Sequence, residues 1–217
     1  MEKFSVTAQL VSPLVMGGGY FTLDALLAGL IFEKTGDVET AHSTIPIACT
    51  DGLFHASAAQ FEPWSKEKVT FVANMRADHS LDPDLLLKRK TEKGEVLRKL
   101  GRLRRRDFGA VLNRYNLFPT EEIIWYAQGD PEATEKLIAK VDFIGKRRGS
   151  GYGQVKEWSI EPAELDGLTD TLDEPLRPIP VDMFKGNTGS LKVDAAWRPA
   201  YWNPENRAIC YAPELLS

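Results

Sequence analysis

The sequence predicts an α+β protein of the ferredoxin-like class, in which an antiparallel sheet carries two helices on one face. The order of periodic segments is strand, helix, strands, strand, helix, strand, which is the order of a split βαβ fold. Two segments, 22–36 and 130–145, have residues typical of helix boundaries. The 217 residues are 43% hydrophobic and 27% charged, which is ordinary for a soluble globular protein.

The first strand and the first helix are predicted from their apolar periodicity. The helix begins after Thr22, a suitable N-cap residue, and ends at Gly36. Its inward stripe consists of Leu23, Leu26, Leu27, Leu30 and Ile31. Before it, the segment FSVTAQLV alternates as a half-buried strand does, with an inward face made of Phe4, Val6, Ala8 and Leu10.

A short helix and two further strands are predicted for the middle of the chain. Pro46 keeps the residue before it extended, and Thr50 is then a candidate cap for a short helix. The inner face of that helix would consist of Phe54, Ala58 and Phe61. Strands are predicted for KVTFVAN at 68–74 and for EEIIWYAQGD at 121–130, the second as a central, covered strand.

The second long helix and the last strand complete the predicted fold. Asp130 caps the helix, and Pro131 occupies its first position. A glycine-rich loop then leads to a strand at 153–161. These elements place a ferredoxin-like domain at 1–161, with a basic insertion at about 76–115.

After residue 161 the chain changes in character. Seven of the thirteen prolines lie between positions 162 and 213. We therefore expect 162–217 to be an extended, loop-rich segment that packs on the core through Trp197, Tyr201 and Trp202.

The charge of the chain is polarised. The net charge is −4, yet eleven Lys and Arg stand against three acids between Lys88 and Arg114, a local balance of +8. Such a segment is either an exposed charged helix that covers the sheet or a surface that meets a nucleic acid. We favour the second interpretation, with candidate contacts at Arg98, Lys99, Arg102, Arg104, Arg105 and Arg106.

The loop FIGKRRGSGYGQVKEW, residues 143–158, is the second candidate site. It lacks the GxxxxGK spacing of a P-loop, and it runs from helix to strand, whereas a dinucleotide fingerprint runs from strand to helix. Cations, glycines and a tyrosine together suit single-stranded RNA, although a plain β-turn with solvated cations is the alternative. The candidate RNA contacts are Lys146, Arg147, Arg148, Gly149, Ser150, Gly151, Tyr152 and Gly153.

Catalytic constellations are weak in this sequence. His55 or His79 could serve as the general base of a metal-independent endoribonuclease, but no two histidines pair. The run DHSLDPD offers carboxylates, yet it is typical of a turn before a helix. The two cysteines, Cys49 and Cys210, are far apart and predict neither zinc site nor disulfide. We expect a cytoplasmic, non-catalytic protein with no cofactor, no metal and no membrane span.

Four segments resemble a known family. GKRRGSGYGQV, between a helix and a strand, resembles the glycine-rich loop of the RAMP superfamily of CRISPR-associated proteins, whose fold is RRM-like. The small RAMP subunit of type IV CRISPR effector complexes is similar in the segments VTAQLVSPLVMGGGYFTLDALLAGLIF, IPIACTDGLFHASAA and PLRPIPVD.

The resemblance implies a subunit that caps the 5′ handle of a guide RNA. It also implies partners: repeated backbone subunits, a large subunit and, indirectly, target DNA that is read by base pairing. Two alternatives stay open, namely a guide-processing endoribonuclease of the same superfamily and an unrelated ferredoxin-like domain that binds a small anion.

Overall fold

The computed structural model describes residues 1–73 and 111–214. The predicted contacts at Arg98, Lys99, Arg102, Arg104, Arg105 and Arg106 lie outside these residues, as do His79 and the DHSLDPD run, so those hypotheses stay predictions. The chain divides into two compact units, one made of Met1–Glu67 with Asn116–Ser217 and the other of Lys68–Tyr115.

The elements follow one another along the chain as eleven strands and three α-helices in the described residues. They are β1 (Glu2–Leu10), β2 (Leu14–Met16), α1 (Leu23–Thr35), α2 (Val38–Ser43), β3 (Cys49–Thr50), β4 (Leu53–Phe54), β5 (Glu67–Ala73), β6 (Val111–Phe118), β7 (Glu122–Gly129), α3 (Pro131–Ile138), β8 (Val155–Pro162), β9 (Ile179–Pro180), β10 (Lys192–Ala196) and β11 (Arg207–Tyr211). In the described ranges, no helix is long and apolar enough to cross a membrane.

The main sheet has β1 at its centre. This strand pairs antiparallel with β7 on one side and with β8 on the other, and Val6 lies opposite Trp125 and Ile160. One face of the sheet carries α1 and α3, and the core between them is apolar. The predicted α+β class is confirmed, with mostly antiparallel sheets, and the arrangement is compatible with a ferredoxin-like fold.

The predicted alternation in β1 and the predicted first helix are confirmed. Phe4, Val6 and Ala8 are buried in the core. The helix α1 ends at Gly36, whose φ of 68° is left-handed and whose N–H donates to the carbonyl of Phe32 at 2.8 Å. Only glycine adopts this conformation without strain, which explains why the helix stops there.

The predicted second helix is also confirmed. Asp130 accepts a hydrogen bond from the N–H of Ala133 at 3.0 Å, and Pro131 opens α3. Strand β7 lies at the predicted place, but its side chains alternate between buried and half-buried, so the sheet is covered fully on one face only.

The predicted short helix after Thr50 is wrong. Asp51 and Gly52 have φ values of 52° and 85° and form the two-residue turn of a hairpin between β3 and β4. The following segment, 56–60, is extended and bridges β7 antiparallel at Ala127 and Ile124. It occupies the place of a fourth strand beside β7.

In the smaller unit β5 lies beside β6, and the rings of Phe71 and Tyr115 meet edge-on at 6.1 Å. In the larger unit β2 pairs with residues 116–118.

The C-terminal segment is anchored on α1 by a buried arginine. Arg177 has no exposed surface, and its Nη1 donates to Asp24 Oδ1 at 3.2 Å. Its Nη2 donates to the hydroxyl of Tyr201 at 2.8 Å and to the carbonyl of Trp197 at 2.7 Å. The prediction for Trp202 is wrong, because this residue is 79% exposed.

Candidate functional site

The glycine loop, residues 143–153, is held by hydrogen bonds against residues 13–15, where β2 begins. The N–H of Lys146 donates to the carbonyl of Val15 at 2.7 Å, and the N–H of Gly153 donates to the carbonyl of Pro13 at 2.9 Å. Ile144 is buried, and its N–H donates to the carbonyl of Gly153 at 2.8 Å. The loop therefore has a fixed base whose backbone donors are satisfied within the chain.

Two glycines at the base of the loop are required by the chain itself. Gly145 and Gly153 have φ values of 77° and 67°. A Cβ at Gly153 would lie 2.0 Å from the carbonyl oxygen of Ile144, and one at Gly145 would lie 2.7 Å from that of Val15. Both positions exclude a side chain for reasons of folding, independently of any ligand.

The outer part of the loop is a single 3₁₀ turn at Arg148–Ser150. A Cβ added at Gly149 or Gly151 would meet nothing within 4 Å. Gly151 has a φ of 83°, whereas Gly149 is not in the left-handed region. Both glycines leave open space above the exposed turn.

A groove of about 300 Å³ lies beside the loop, and we call it the glycine groove. Its walls are the Gly17–Gly19 turn, one side of α1 and the loop residues Phe143 to Lys146 with Arg148. A Cβ would meet nothing within 4 Å at Gly18, Gly19 and Gly29. Gly29 lies in the middle of α1, where glycine costs about 0.5–1 kcal/mol relative to alanine, although no neighbouring atom requires it.

Two of the predicted cations line the glycine groove. The side chain of Lys146 lies over Gly17, since a Cβ there would be 2.7 Å from its Nζ. Arg148 reaches across to α1, and its Nη2 is 3.2 Å from Glu33 Oε1. This pair is about half-exposed, and it contributes little to stability because water screens it. The groove thus combines two cations and one carboxylate, Glu33, with the glycines at 17–19 and 29 and with apolar side chains.

The other predicted residues lie on the outer turn and beyond it. Arg147, half-buried, has a φ of 62° and precedes the 3₁₀ turn. Ser150 is exposed, and Tyr152 is half-buried. None of these three lines the glycine groove.

His55 lies in a different place, which we call the acidic cleft. Its Nε2 is 3.0 Å from the hydroxyl of Thr50, and its Nδ1 is 3.8 Å from Asp166 Oδ2. The second distance is too long for a hydrogen bond. The His55 ring nevertheless lowers the pKa of the Asp166 carboxyl, against the opposing effect of burial.

The acidic cleft has a volume of about 480 Å³ and is negatively charged. Besides Asp166 it is lined by Asp51, Asp173 and Asp182, with Lys185 as the cation of the described lining. A polyanion is repelled from such a surface. Within 1–73 and 111–214, no three His, Cys, Asp or Glu side chains form a group that could hold a metal ion.

Sequence reasoning missed three parts of this region. The run VMGGGYF predicts only a flexible turn, whereas the structure places it as a wall of the glycine groove. Gly29 lies inside a regular helical pattern, and the sequence analysis gave it no role. A glycine at an inner helical position is unfavourable, and that was the available signal for a site there. The pairing of Asp24 with Arg177 spans 153 positions and has no local signal.

The comparison with protein families gives one match. Residues 110–213, just under half of the chain, match the family model described as CRISPR type IV associated protein Csf3. The matched segment includes β7, α3, the glycine loop, β8 and most of the C-terminal segment. The resemblance to type IV CRISPR-associated proteins is thereby confirmed. No curated protein matches the chain.

Proposed function

We propose that this chain, as a type IV CRISPR-associated subunit, holds the backbone of a guide RNA near its 5′ end and does not cut it. One observation carries the proposal, namely the glycine groove, where Lys146 and Arg148 lie beside the glycines at 17–19 and 29. The proposal includes membership of the RAMP superfamily. It also includes a complex of the guide RNA with backbone subunits and a large subunit, and indirect contact with target DNA.

Single-stranded RNA suits the groove for physical reasons. A phosphate–ribose backbone needs close approach, and glycines at positions 18, 19 and 29 permit it. Lysine meets a phosphate as a point charge, while arginine offers a planar fork of donors. The adjacent outer turn adds Arg147 and the Tyr152 ring, which is of the type that stacks on bases.

The alternative, a guide-processing endoribonuclease, is disfavoured by the surroundings of His55. A general base must lie next to the scissile phosphate, which requires the RNA to enter the site. His55 instead shares its cleft with four aspartates and one lysine of the described lining. The other described histidine, His42, lies in the last turn of α2.

The proposal predicts a salt-dependent affinity that depends on the loop cations. Lys146→Ala and Arg148→Ala should each weaken binding of the full chain to 5′-handle RNA. Each lost phosphate contact lowers the slope of log affinity against log salt by about 0.7, because fewer counterions are released. Titration at several salt concentrations measures the slope. Lys140→Ala, an exposed cation beside α3, is the matched control.

An equal slope for Lys146→Ala, Arg148→Ala and Lys140→Ala would contradict the proposal. Equal affinity for 5′-handle RNA and for an unrelated single strand of the same length would support RNA binding. It would contradict specific recognition of the 5′ handle.

The proposal also predicts that repeat RNA stays intact. Incubation with the full chain should give no discrete product, either with magnesium or with EDTA, and His55→Ala should behave as the unchanged protein does. Gel analysis of end-labelled RNA is the measurement. A specific product that disappears in His55→Ala would establish the endoribonuclease instead.

A further inference from the structure

A second cavity lies on the other side of the Gly17–Gly19 turn. We call it the aromatic pocket, and its volume is about 280 Å³. This size is near the lower limit for small-molecule sites and suits one planar ring system rather than a chain. The pocket-lining side chains that matter are Tyr20, Phe21, Phe61, Phe118, Gln60 and Asn116.

The aromatic walls are held in place by the core. Phe21 meets Trp125 edge-on at a centroid distance of 5.5 Å, and Phe61 meets Phe118 at 5.6 Å. The hydroxyl of Tyr20 donates to the carbonyl of Pro213 at 3.0 Å, and burial raises the pKa of Tyr20, which keeps this donor protonated. The pocket therefore presents rigid ring faces and edges.

Two primary amides belong to the polar part of the lining, which also includes the exposed carboxylate of Glu214. The Nε2 of Gln60 donates to the carbonyl of Ala58 at 3.1 Å, which orients the amide, and its Oε1 has no partner among the described residues. Asn116 is half-buried, and its side-chain amide makes no hydrogen bond within the described ranges. Donors and acceptors paired in this way match the edge of a nucleobase.

The aromatic pocket and the glycine groove share the Gly17–Gly19 turn as a common wall. At Gly18 and Gly19 of this wall an added Cβ would meet nothing within 4 Å, which leaves room for an RNA strand between the groove and the pocket. We propose that one unstacked base of that strand enters the aromatic pocket, packs on its rings and is read by Gln60 and Asn116. This inference rests on the proposed function.

The test uses the full chain and a set of short RNAs from the 5′ handle, each lacking one base through an abasic site. One abasic position should weaken binding about tenfold or more, since a stacked base is lost there. Asn116→Leu should weaken binding of intact RNA about fivefold, through the lost hydrogen bonds. Asn116→Leu should not weaken binding of the RNA with that abasic site any further, because this RNA lacks the base to which the amide would hydrogen-bond. Asn113→Leu, on the same strand, is the control.

The outcomes separate the pocket from the groove. If intact RNA binds and no abasic position stands out, or if Asn116→Leu weakens both RNAs equally, the base pocket is wrong and the RNA-binding proposal is untouched. If intact RNA does not bind at low salt, both proposals fail. One abasic position whose loss is about fivefold smaller in Asn116→Leu than in the unchanged protein and in Asn113→Leu supports the pocket.

Discussion

Replacing Asp24 with alanine is expected to lower the free energy of unfolding by about 3–5 kcal/mol. Asp24 and Arg177 are both fully buried, with Nη1 3.2 Å from Oδ1, and the hydroxyl of Tyr201 also donates to Asp24. Without the carboxylate, the guanidinium charge stays buried with carbonyl and hydroxyl oxygens alone. Urea denaturation followed by tryptophan fluorescence measures the loss.

Glu33→Ala is the matched control for Asp24→Ala. It removes a carboxylate that is also 3.2 Å from an arginine, but this pair is about half-exposed. The expected loss is less than about 1 kcal/mol, because water screens the pair and solvates the remaining Arg148. Similar losses in the two variants would show that burial does not determine the contribution of Asp24.

Replacing Gly149 with valine is expected to weaken binding of 5′-handle RNA more than about tenfold, with the free energy of unfolding unchanged. A Cβ at this exposed position meets nothing within 4 Å, and the backbone is not left-handed, so the chain accepts a side chain. The valine side chain would, however, occupy the space that a phosphate needs when it approaches the 3₁₀ turn, and binding is therefore weakened. Binding and denaturation of the same preparation provide both values.

Two neighbouring glycines serve as comparisons for Gly149→Val. Gly153→Ala should destabilise the fold, because its Cβ would lie 2.0 Å from the carbonyl oxygen of Ile144. Gly151→Val should both strain the backbone, whose φ is 83°, and obstruct the ligand. If Gly149→Val is folded and binds RNA as the unchanged chain does, the outer turn is not a contact site.

Elements with local signals were predictable from the sequence. The helix α1 has an apolar stripe and a terminal glycine, and the glycine ends the last turn. Thr22 occupies the predicted N-cap position, but its side chain makes no capping hydrogen bond and donates to the hydroxyl of Tyr201 instead. In α3, by contrast, the predicted cap Asp130 caps the helix directly. Helix ends depend on groups a few residues away, and such dependence can be read from a single sequence.

The segment 49–61 shows where local reasoning fails. Phe54, Ala58 and Phe61 follow helical spacing, yet the segment is a hairpin followed by an extended edge. The Asp51–Gly52 turn was a local signal for the hairpin. The extended edge is stabilised by hydrogen bonds to β7, more than sixty positions away, and tertiary pairing overrides the helical pattern.

The candidate site was predictable only in part, because one of its walls is local in the sequence and the other comes from distant residues. The glycine loop and its cations stand together in the sequence, but the opposite wall of the groove comes from Gly17–Gly19 and Gly29. The antiparallel placement of β8 beside β1, together with the backbone hydrogen bonds from the loop to Pro13 and Val15, brings the loop to the Gly17–Gly19 turn.

The central place of β1 has a consequence for biosynthesis. This strand is synthesised before either of its two partners, β7 and β8, which begin at residues 122 and 155. At a synthesis rate of about 5–20 residues per second, the backbone donors and acceptors of β1 stay without their strand partners for several seconds. During that time β1 is an unprotected edge, and other nascent chains can pair with it. Slow synthesis thus increases the risk of aggregation, and agents that shield β1 should raise the soluble yield.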